Sequence, residues 1–249
     1  MIDLKKKVVL ITGGSGFFGS RLAKIIRLNN GVPIILDKKI NSEKSSKFEY
    51  FKLDITKKKS VENVIKKITK KYEKIDCLIN NAALNNKLDQ NKSKLENFSL
   101  KQWNDEINVG LTGALLVTQS VIKNMIKNKS GSIICISSDL GLIAPNQNIY
   151  NKKIKKPVSY SVVKHGIIGF GKYLSTYLGD FNIRSNILCP GGIYNKQPRK
   201  FVNKLEKLIP LKRMAKIDDY DGIILYLCSD LSTYMTGSVI SCDGGRTVW

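Results

Sequence analysis

The sequence is poor in the residues that most often bind metals or form disulfides. It has one histidine and five cysteines among 249 residues. Cys77, Cys135, Cys189, Cys228 and Cys242 are widely spaced and form no C-x-x-C pair. Neither a disulfide framework nor a metal site is expected from such spacing. Cys77, Cys135 and Cys189 stand inside apolar runs and read as reduced core residues. No apolar run is long enough to span a membrane. No linker rich in Pro, Gly or Ser divides the chain, and there is no repeat or low-complexity tract, so it reads as a single domain over 1–249. The opening "MIDLKKK" leads straight into a strand-like run. No leader is expected there, and the expected compartment is the cytoplasm.

Acidic residues are scarce too. There are 20 Asp+Glu against 42 Lys+Arg, a formal charge of +22. A nucleic-acid partner is one reading of that charge. Three features oppose it: only six of the cations are arginine, the lysines are scattered without a basic tail, and no aromatic-interleaved RNA motif occurs. With 21 asparagines in the same chain, the lysines fit a compositional bias spread over the surface. A basic rim that attracts an anionic small substrate accounts for the charge better than nucleic acid does.

Hydrophobic residues make up 42% of the chain, an ordinary globular share. They fall into short Val- and Ile-rich runs at 8–12, 32–37, 75–80, 132–137, 183–189 and 237–243, with a weaker one at 50–53. Helical patterns lie between them, around 18–29, 60–73, 100–128, 159–178 and 218–228. Apolar strands alternating with helices predict an α/β fold: about seven parallel strands, doubly wound, with helices on both faces in three α/β/α layers. Two polar connections interrupt the alternation, at 84–99 and 144–158. Both follow strand C-terminal ends, where an open α/β sheet binds its ligands.

The first strand runs into "TGGSGFFGS", whose glycines Gly13, Gly16 and Gly19 are spaced G-x-x-G-x-x-G ahead of a helix. Glycines there allow a tight turn and let backbone N–H groups approach a pyrophosphate at the helix N-terminus. Asp37 ends the second strand, 18 residues after Gly19. A carboxylate at that place can take the ribose hydroxyls and would repel a 2′-phosphate, which favours NAD. Lys38 and Lys39 beside it keep NADP open. Asp54 is either a contact for the adenine amino group or a turn aspartate.

"YSVVK" places Tyr160 and Lys164 one helical turn apart. Taken alone the pair is weak in a lysine-rich chain. The ordered set is stronger: "TGGSGFFG", Asp37, "LDIT" (53–56), "NNAA" (80–83), Asn108 in "INVGLTG", "ISS" (136–138), "YSVVK", "NILCPGG" (186–192) and "TGSVISCDGG" (236–245). Over nearly its whole length the chain resembles the short-chain dehydrogenase/reductase family, in its single-domain, Rossmann-type form.

That resemblance implies catalytic roles. Tyr160 would exchange a proton with the substrate oxygen. Lys164 would lower the tyrosine pKa from its ordinary value of about 10 and hold the nicotinamide ribose. Ser138 would bond the substrate oxygen, with Ser137 as its competitor. Asn108 would hold a water in a proton relay. The resemblance also implies cofactor contacts from Gly13, Ser15, Gly16, Phe18, Gly19, Asp37, Asp54, Ile55, Asn81, Ala82, Tyr160, Lys164, Pro190, Gly191 and Ile193. The sole histidine, His165, reads as a packing or surface residue.

Three features depart from the family pattern. The glycine spacing is the one commoner among longer sugar-nucleotide-modifying members. Ala83 stands where a glycine is usual. Tyr194-Asn195 occupy the place of a carboxamide-binding threonine.

Ser138 and Tyr160 are also unusually far apart, and the added length brings basic residues: Lys152, Lys153, Lys155 and Lys156, with Lys87, Lys92 and Lys94 in the other connection. Basic loops beside the site suggest an anionic or sugar substrate, such as a sugar phosphate or nucleotide-linked sugar. The long loop also resembles that of bacterial dehydrogenases of surface-glycan and flagellin-modifying sugar pathways. Residues 194–212 are expected as a substrate flap.

The leading expectation is therefore an NAD(P)-dependent oxidoreductase on a sugar-derived alcohol or ketone. The resemblance adds a homo-oligomer, tetramer or dimer. The rivals are an NADPH-dependent 3-ketoacyl-type or small-ketone reductase, and a non-catalytic dinucleotide-sensing or nucleic-acid-binding protein.

Overall fold

The computed structural model describes residues 2–39, 48–84, 93–150 and 153–249. Among these residues the apolar runs form strands β1 (Val8–Thr12), β2 (Val32–Asp37), β3 (Glu49–Lys52), β4 (Cys77–Asn80), β5 (Gly131–Ile136), β6 (Ile183–Pro190) and β7 (Val239–Cys242). They make one parallel sheet in the order β3-β2-β1-β4-β5-β6-β7. The order reverses between β1 and β4, and that switch point opens a crevice at the strand C-termini.

Helices cover both faces: α1 (Phe17–Leu28), α2 (Lys58–Tyr72), α3 (Leu100–Ile107), α4 (Gly113–Asn128), α5 (Val158–Tyr177), α6 (Arg199–Glu206) and α7 (Asp221–Cys228). Alternate strand residues serve opposite faces. Leu10, Leu36, Leu78, Ile133 and Ile187 meet α2, α4 and α5 through Ile65, Val117, Val121 and Ile167. Ile11, Ile35, Ile79, Ile134 and Leu188 meet α1 and α7 through Leu22, Ile26, Ile224 and Leu227. Continuous Val/Ile runs are what a strand buried on both faces requires.

Two features differ from the sequence reading. The first is that Leu100–Asn128 is one continuous helix of 29 residues, long enough and, over an 18-residue window of mean hydropathy 1.3, apolar enough to cross a membrane by length and composition. The sequence reading found no such stretch, because polar residues interrupt the apolar ones. In the fold this helix is part of a layer, with Ala114, Val117, Val121 and Met125 packed in the core. Its α3 and α4 segments join through one wide π turn, Asn108–Thr112. Such turns recur at functional sites, and here the turn begins at Asn108 on the crevice side.

The second is that the expected flap, 194–212, contains helix α6. Pro198 stands at its N-cap, where a fixed φ suits a helix start. Its Val202 and Leu205 pack with Ile149, Ile209 and Met214 as a separate apolar cluster. The rings of Tyr150 and Phe201 lie 5.5 Å apart, and Lys204 Nζ donates to Asn148 O at 2.7 Å. Residues of this segment and of the end of the 144–150 stretch therefore pack together and line the same side of the crevice.

The β6–β7 edge is held by Asn186, which is fully buried. Its Nδ2 donates to Met235 O at 2.7 Å and its Oδ1 accepts from Ser238 N at 3.1 Å. Asn186→Ala orphans both backbone groups and is expected to cost about 2 kcal/mol, lowering Tm by roughly 4–8 °C. Calorimetry checks this, and an unchanged Tm would show the brace to be idle.

Candidate active site

The C-terminal ends of β1, β4, β5 and β6 border a cleft of about 1380 Å³. That exceeds the roughly 300–1,000 Å³ of common small-ligand pockets, leaving room for a dinucleotide and a second molecule. Gly13, Ser15, Asp37 and Asp54 line one end, and Ser138, Lys156, Tyr160 and Arg246 line the other.

The glycine loop fits a phosphate cradle. Gly13 has φ +64°, and a Cβ there would fall 2.9 Å from Ala82 Cα. At Gly19 a Cβ would drive into Gly13 O. A Cβ at Gly16 meets only Gly13 O, at 3.2 Å. Helix α1 starts without a side-chain cap, so its first N–H groups remain available to an anion. Phe18 lines the cleft and packs edge-on against Tyr220 at 5.4 Å.

Asp37 accepts from Ser15 N at 3.0 Å and from Lys39 N at 3.1 Å, which aims its carboxylate at the glycine loop. Lys38 is drawn away from Asp37 and pairs with Asp54 at 3.2 Å. Asp54 Oδ1 also accepts from Thr56 N at 3.1 Å and Thr56 Oγ1 at 2.7 Å. The Thr56 hydroxyl, more than Lys38, holds the Asp54 carboxyl below the usual range. Asp54 is thus a turn aspartate that also lines the cleft, beside buried Ile55.

Asn81 Nδ2 donates to Thr12 O at 2.9 Å and Gly13 O at 3.2 Å. The Asn81 and Ala82 N–H groups reach Thr12 Oγ1 at 3.0 and 3.1 Å. These bonds tie β4 to the glycine turn. Across the cleft, Pro190, Gly191 and Ile193 form the wall after β6. Gly191 tolerates no Cβ, which would lie 2.8 Å from Asp243 Cα. Asn108 is exposed to the cleft from its wide turn.

Tyr160 and Lys164 share one face of α5, and both line the cleft. Lys164 is buried, its Nζ donating to Ile136 O at 2.9 Å and standing 5.8 Å from the Tyr160 ring centroid. Burial, then the neighbouring Lys156, lowers the Lys164 pKa to about 8.

The Tyr160 phenol is pushed above its ordinary value by burial. The pull back down comes first from the Ser138 hydroxyl and then from Arg246, and Asp139 pushes the other way. The sequence reading expected Lys164 to supply that pull. In this structure its ammonium is committed to the Ile136 carbonyl, and the downward pull comes from Ser138 and Arg246 instead.

The two serines separate cleanly. Ser137 Oγ donates to Lys164 O at 2.7 Å, bracing α5 against β5. Ser138 Oγ donates to Asp139 Oδ1 at 2.7 Å and accepts from Leu140 N at 3.2 Å, within reach of Tyr160. His165 sits exposed on α5, its Nδ1 2.9 Å from Ser161 O.

Three participants were not singled out from sequence. Asp139 Oδ2 accepts from Arg246 NH1 at 2.5 Å, an ion pair 3% and 5% exposed. The pair joins residues 107 apart, so no local pattern announces it. Lys156 appeared only as one of several loop lysines, yet its Nζ stands 3.5 Å from the Tyr160 ring centroid. Lys94, Lys153 and Lys155 do not line the cleft, and Lys87, Lys92 and Lys152 lie outside the described residues.

Comparisons with known proteins place this site. A family model described as enoyl-(acyl carrier protein) reductase matches residues 36–247. Post-translational flagellin modification protein A of Campylobacter coli is 32% identical over 97% of this chain and 98% of its own length. The 3-oxoacyl-[acyl-carrier-protein] reductase FabG of Thermotoga maritima is 32% identical over 98% of this chain and 99% of its own. Among solved structures, a short chain dehydrogenase from Leptospira borgpetersenii with bound NAD+ matches with a TM-score of 0.90 at 32% identity, covering 98% of this chain and 94% of that one. ElxO with NADP bound matches with a TM-score of 0.86 at 26% identity, covering 98% and 100%.

A parallel sheet with a glycine turn at its switch point, and a serine, tyrosine and lysine at the far end of one cleft, define an oxidoreductase fold. The chain belongs to the short-chain dehydrogenase/reductase family, whose members act on CH–OH groups.

The Asp139–Arg246 pair generates a prediction. Asp139→Asn leaves a buried guanidinium without its counter-charge and is expected to cost about 3–5 kcal/mol. Urea denaturation measures it, and a stability within about 1 kcal/mol of wild type would show that the arginine finds another partner.

Proposed function

We propose that residues 1–249 act as a single-domain NAD(P)-dependent oxidoreductase that interconverts a secondary alcohol and a ketone on a sugar-derived substrate. The observation that carries this reading is the joining of two features by one cleft. At one end are the uncapped helix and open glycine turn, with Asp37 beside them. At the other are Ser138, Tyr160 and Lys164. The first suits a dinucleotide, with the Asp37 carboxylate held beside the glycine loop, where it can take the ribose hydroxyls, and Lys38 engaged by Asp54. NAD is accordingly favoured over NADP, and the relatives bound to each keep the general cofactor class.

The nicotinamide supplies or takes the hydride when bound. Tyr160 donates the proton to the substrate oxygen during reduction and removes it during oxidation. Ser138 can turn its single proton from Asp139 to that oxygen as charge develops there. Lys164, freed from Ile136 O, can hold the ribose and offset the phenolate. Asn108 can seat a water on the route from Lys164 to solvent.

The sugar assignment draws on the flagellin-modification relative and on Lys156, the loop lysine that lines the cleft. A second reading is reduction of a 3-oxoacyl thioester, which the FabG relatives favour. The reading includes a cytoplasmic homo-oligomer, tetramer or dimer. The stacked Tyr173 and Tyr177, both exposed on α5, are a candidate contact.

Tyr160→Phe is expected to lower kcat by about 10²–10⁴-fold while NADH affinity is kept. Reduced nicotinamide absorbance, over sugar phosphates, nucleotide sugars and 3-oxoacyl thioesters, reads the first, and fluorescence titration reads the second. Activity retained in that variant would remove Tyr160 from the chemistry.

The pH profile has a sign. Oxidation needs the phenolate, so its rate should climb as pH approaches and passes the ordinary tyrosine value of about 10, and reduction should fall over the same range.

Asp37→Ala is expected to narrow the preference for NAD over NADP by about tenfold. An unchanged ratio of the two kcat/KM values would show that another group sets it.

A further inference from the structure

The long loop between Ser138 and Tyr160 delivers a cation that proton transfer at Tyr160 does not use. Gln147 holds the backbone of Lys156 from both sides: its Oε1 accepts from Lys156 N at 2.8 Å and its Nε2 donates to Lys156 O at 3.3 Å. One residue earlier, Lys155 N donates to Ser93 Oγ at 3.0 Å, so the other extended connection supports the same stretch. One residue later, Pro157 starts α5. The main chain at Lys156 is therefore fixed, and its side chain is aimed into the cleft with Nζ 3.5 Å from the centre of the Tyr160 ring. No carboxylate or carbonyl among the described residues takes this ammonium.

The other charges nearby are already engaged. Asp139 is paired with Arg246. Glu106 accepts from Ser159 Oγ at 2.5 Å and Gln102 Nε2 at 2.9 Å. Lys164 is on Ile136 O. Arg246 lines the same end of the cleft, and its Nε is buried with no acceptor. Three cations thus face two occupied carboxylates, and like charges crowd: Arg246 and Lys156 repel, as do Lys156 and Lys164. A half-buried ammonium crowded by like charges and without a counter-charge is costly unless an anion arrives to share the site.

We propose that Lys156, backed by Arg246, binds an oxyanion of the substrate, a carboxylate or a phosphate, carried close to the carbon that is oxidised or reduced. The assignment rests on the reading that Tyr160 serves that carbon. The cation stands over the ring bearing the reacting phenol, so the anion it holds must lie near the reacting end. A diphosphate linked to a distant nucleotide does not satisfy it. The site therefore selects for acidic or phosphorylated ketones and alcohols over neutral ones.

The test needs no turnover. NAD⁺-saturated protein is titrated calorimetrically at fixed ionic strength with malonate, inorganic phosphate and neutral malonamide. Wild type is expected to bind malonate or phosphate in preference to malonamide, and the stronger of the two names the anion. Lys156→Met should weaken that binding by at least about tenfold, and Lys156→Arg should restore most of it. Among the described residues Lys156 makes no ion pair whose loss would unfold the chain, and circular dichroism checks the variants' fold.

Four results would overturn the assignment: no anion bound by wild type, malonamide bound as tightly as malonate, equal affinity in wild type and Lys156→Met, or a variant that shifts only the titration of Tyr160. The NAD⁺ affinity of wild type is read separately. Its absence would sink the proposed function, while a Lys156-dependent anion affinity would still support this site.

Discussion

The partial burial of Tyr160 is the constraint on which the rest of the site depends. A phenol taken out of water resists ionisation, yet an acid/base must cross that step in every cycle. The surroundings are arranged around this difficulty. Ser138 offers a hydroxyl and Arg246 offers charge, while Lys164 is engaged by Ile136 O. Each of those cations is itself costly to bury, and Asp139 offsets one of them. The fold supplies the rigidity: Ser138 stands just past the end of β5, α5 carries Tyr160 and Lys164, and the Ser137–Lys164 bond ties α5 to the end of β5.

The cofactor end works on a different principle. It uses backbone and small side chains in place of charge. The glycines let the chain turn sharply against Ala82, and the uncapped start of α1 presents N–H groups. The side chain of Asn81 holds that turn to β4. The strand order brings both ends to one crevice, because the connections leaving the paired strands β1 and β4 pass to opposite faces at the switch point.

Much of this is legible in the sequence, since strands buried on both faces must be apolar throughout and the glycine turn must be glycine. The ordered motifs carried Ser138, Tyr160 and Lys164 into view together. What could not be read is long-range. Asp139 and Arg246 lie at opposite sides of β6 in sequence and meet only through the fold. Lys156 looked like its lysine neighbours until Gln147 and Pro157 fixed the direction of its main chain. Helix α6 was hidden because its short amphipathic turn makes sense only against Ile149 and Met214. The family resemblance implies that Lys164 lowers the Tyr160 pKa, but it does not say that the ammonium is engaged by Ile136 O.

The most direct test of this account is an ultraviolet difference titration of wild type against Tyr160→Phe, without cofactor or substrate. The account predicts one tyrosine that ionises only above the ordinary value of about 10, because burial outweighs the cations around it. A Tyr160 signal titrating at or below that value would contradict the account, and would mean that the charges already hold the phenolate in the resting enzyme.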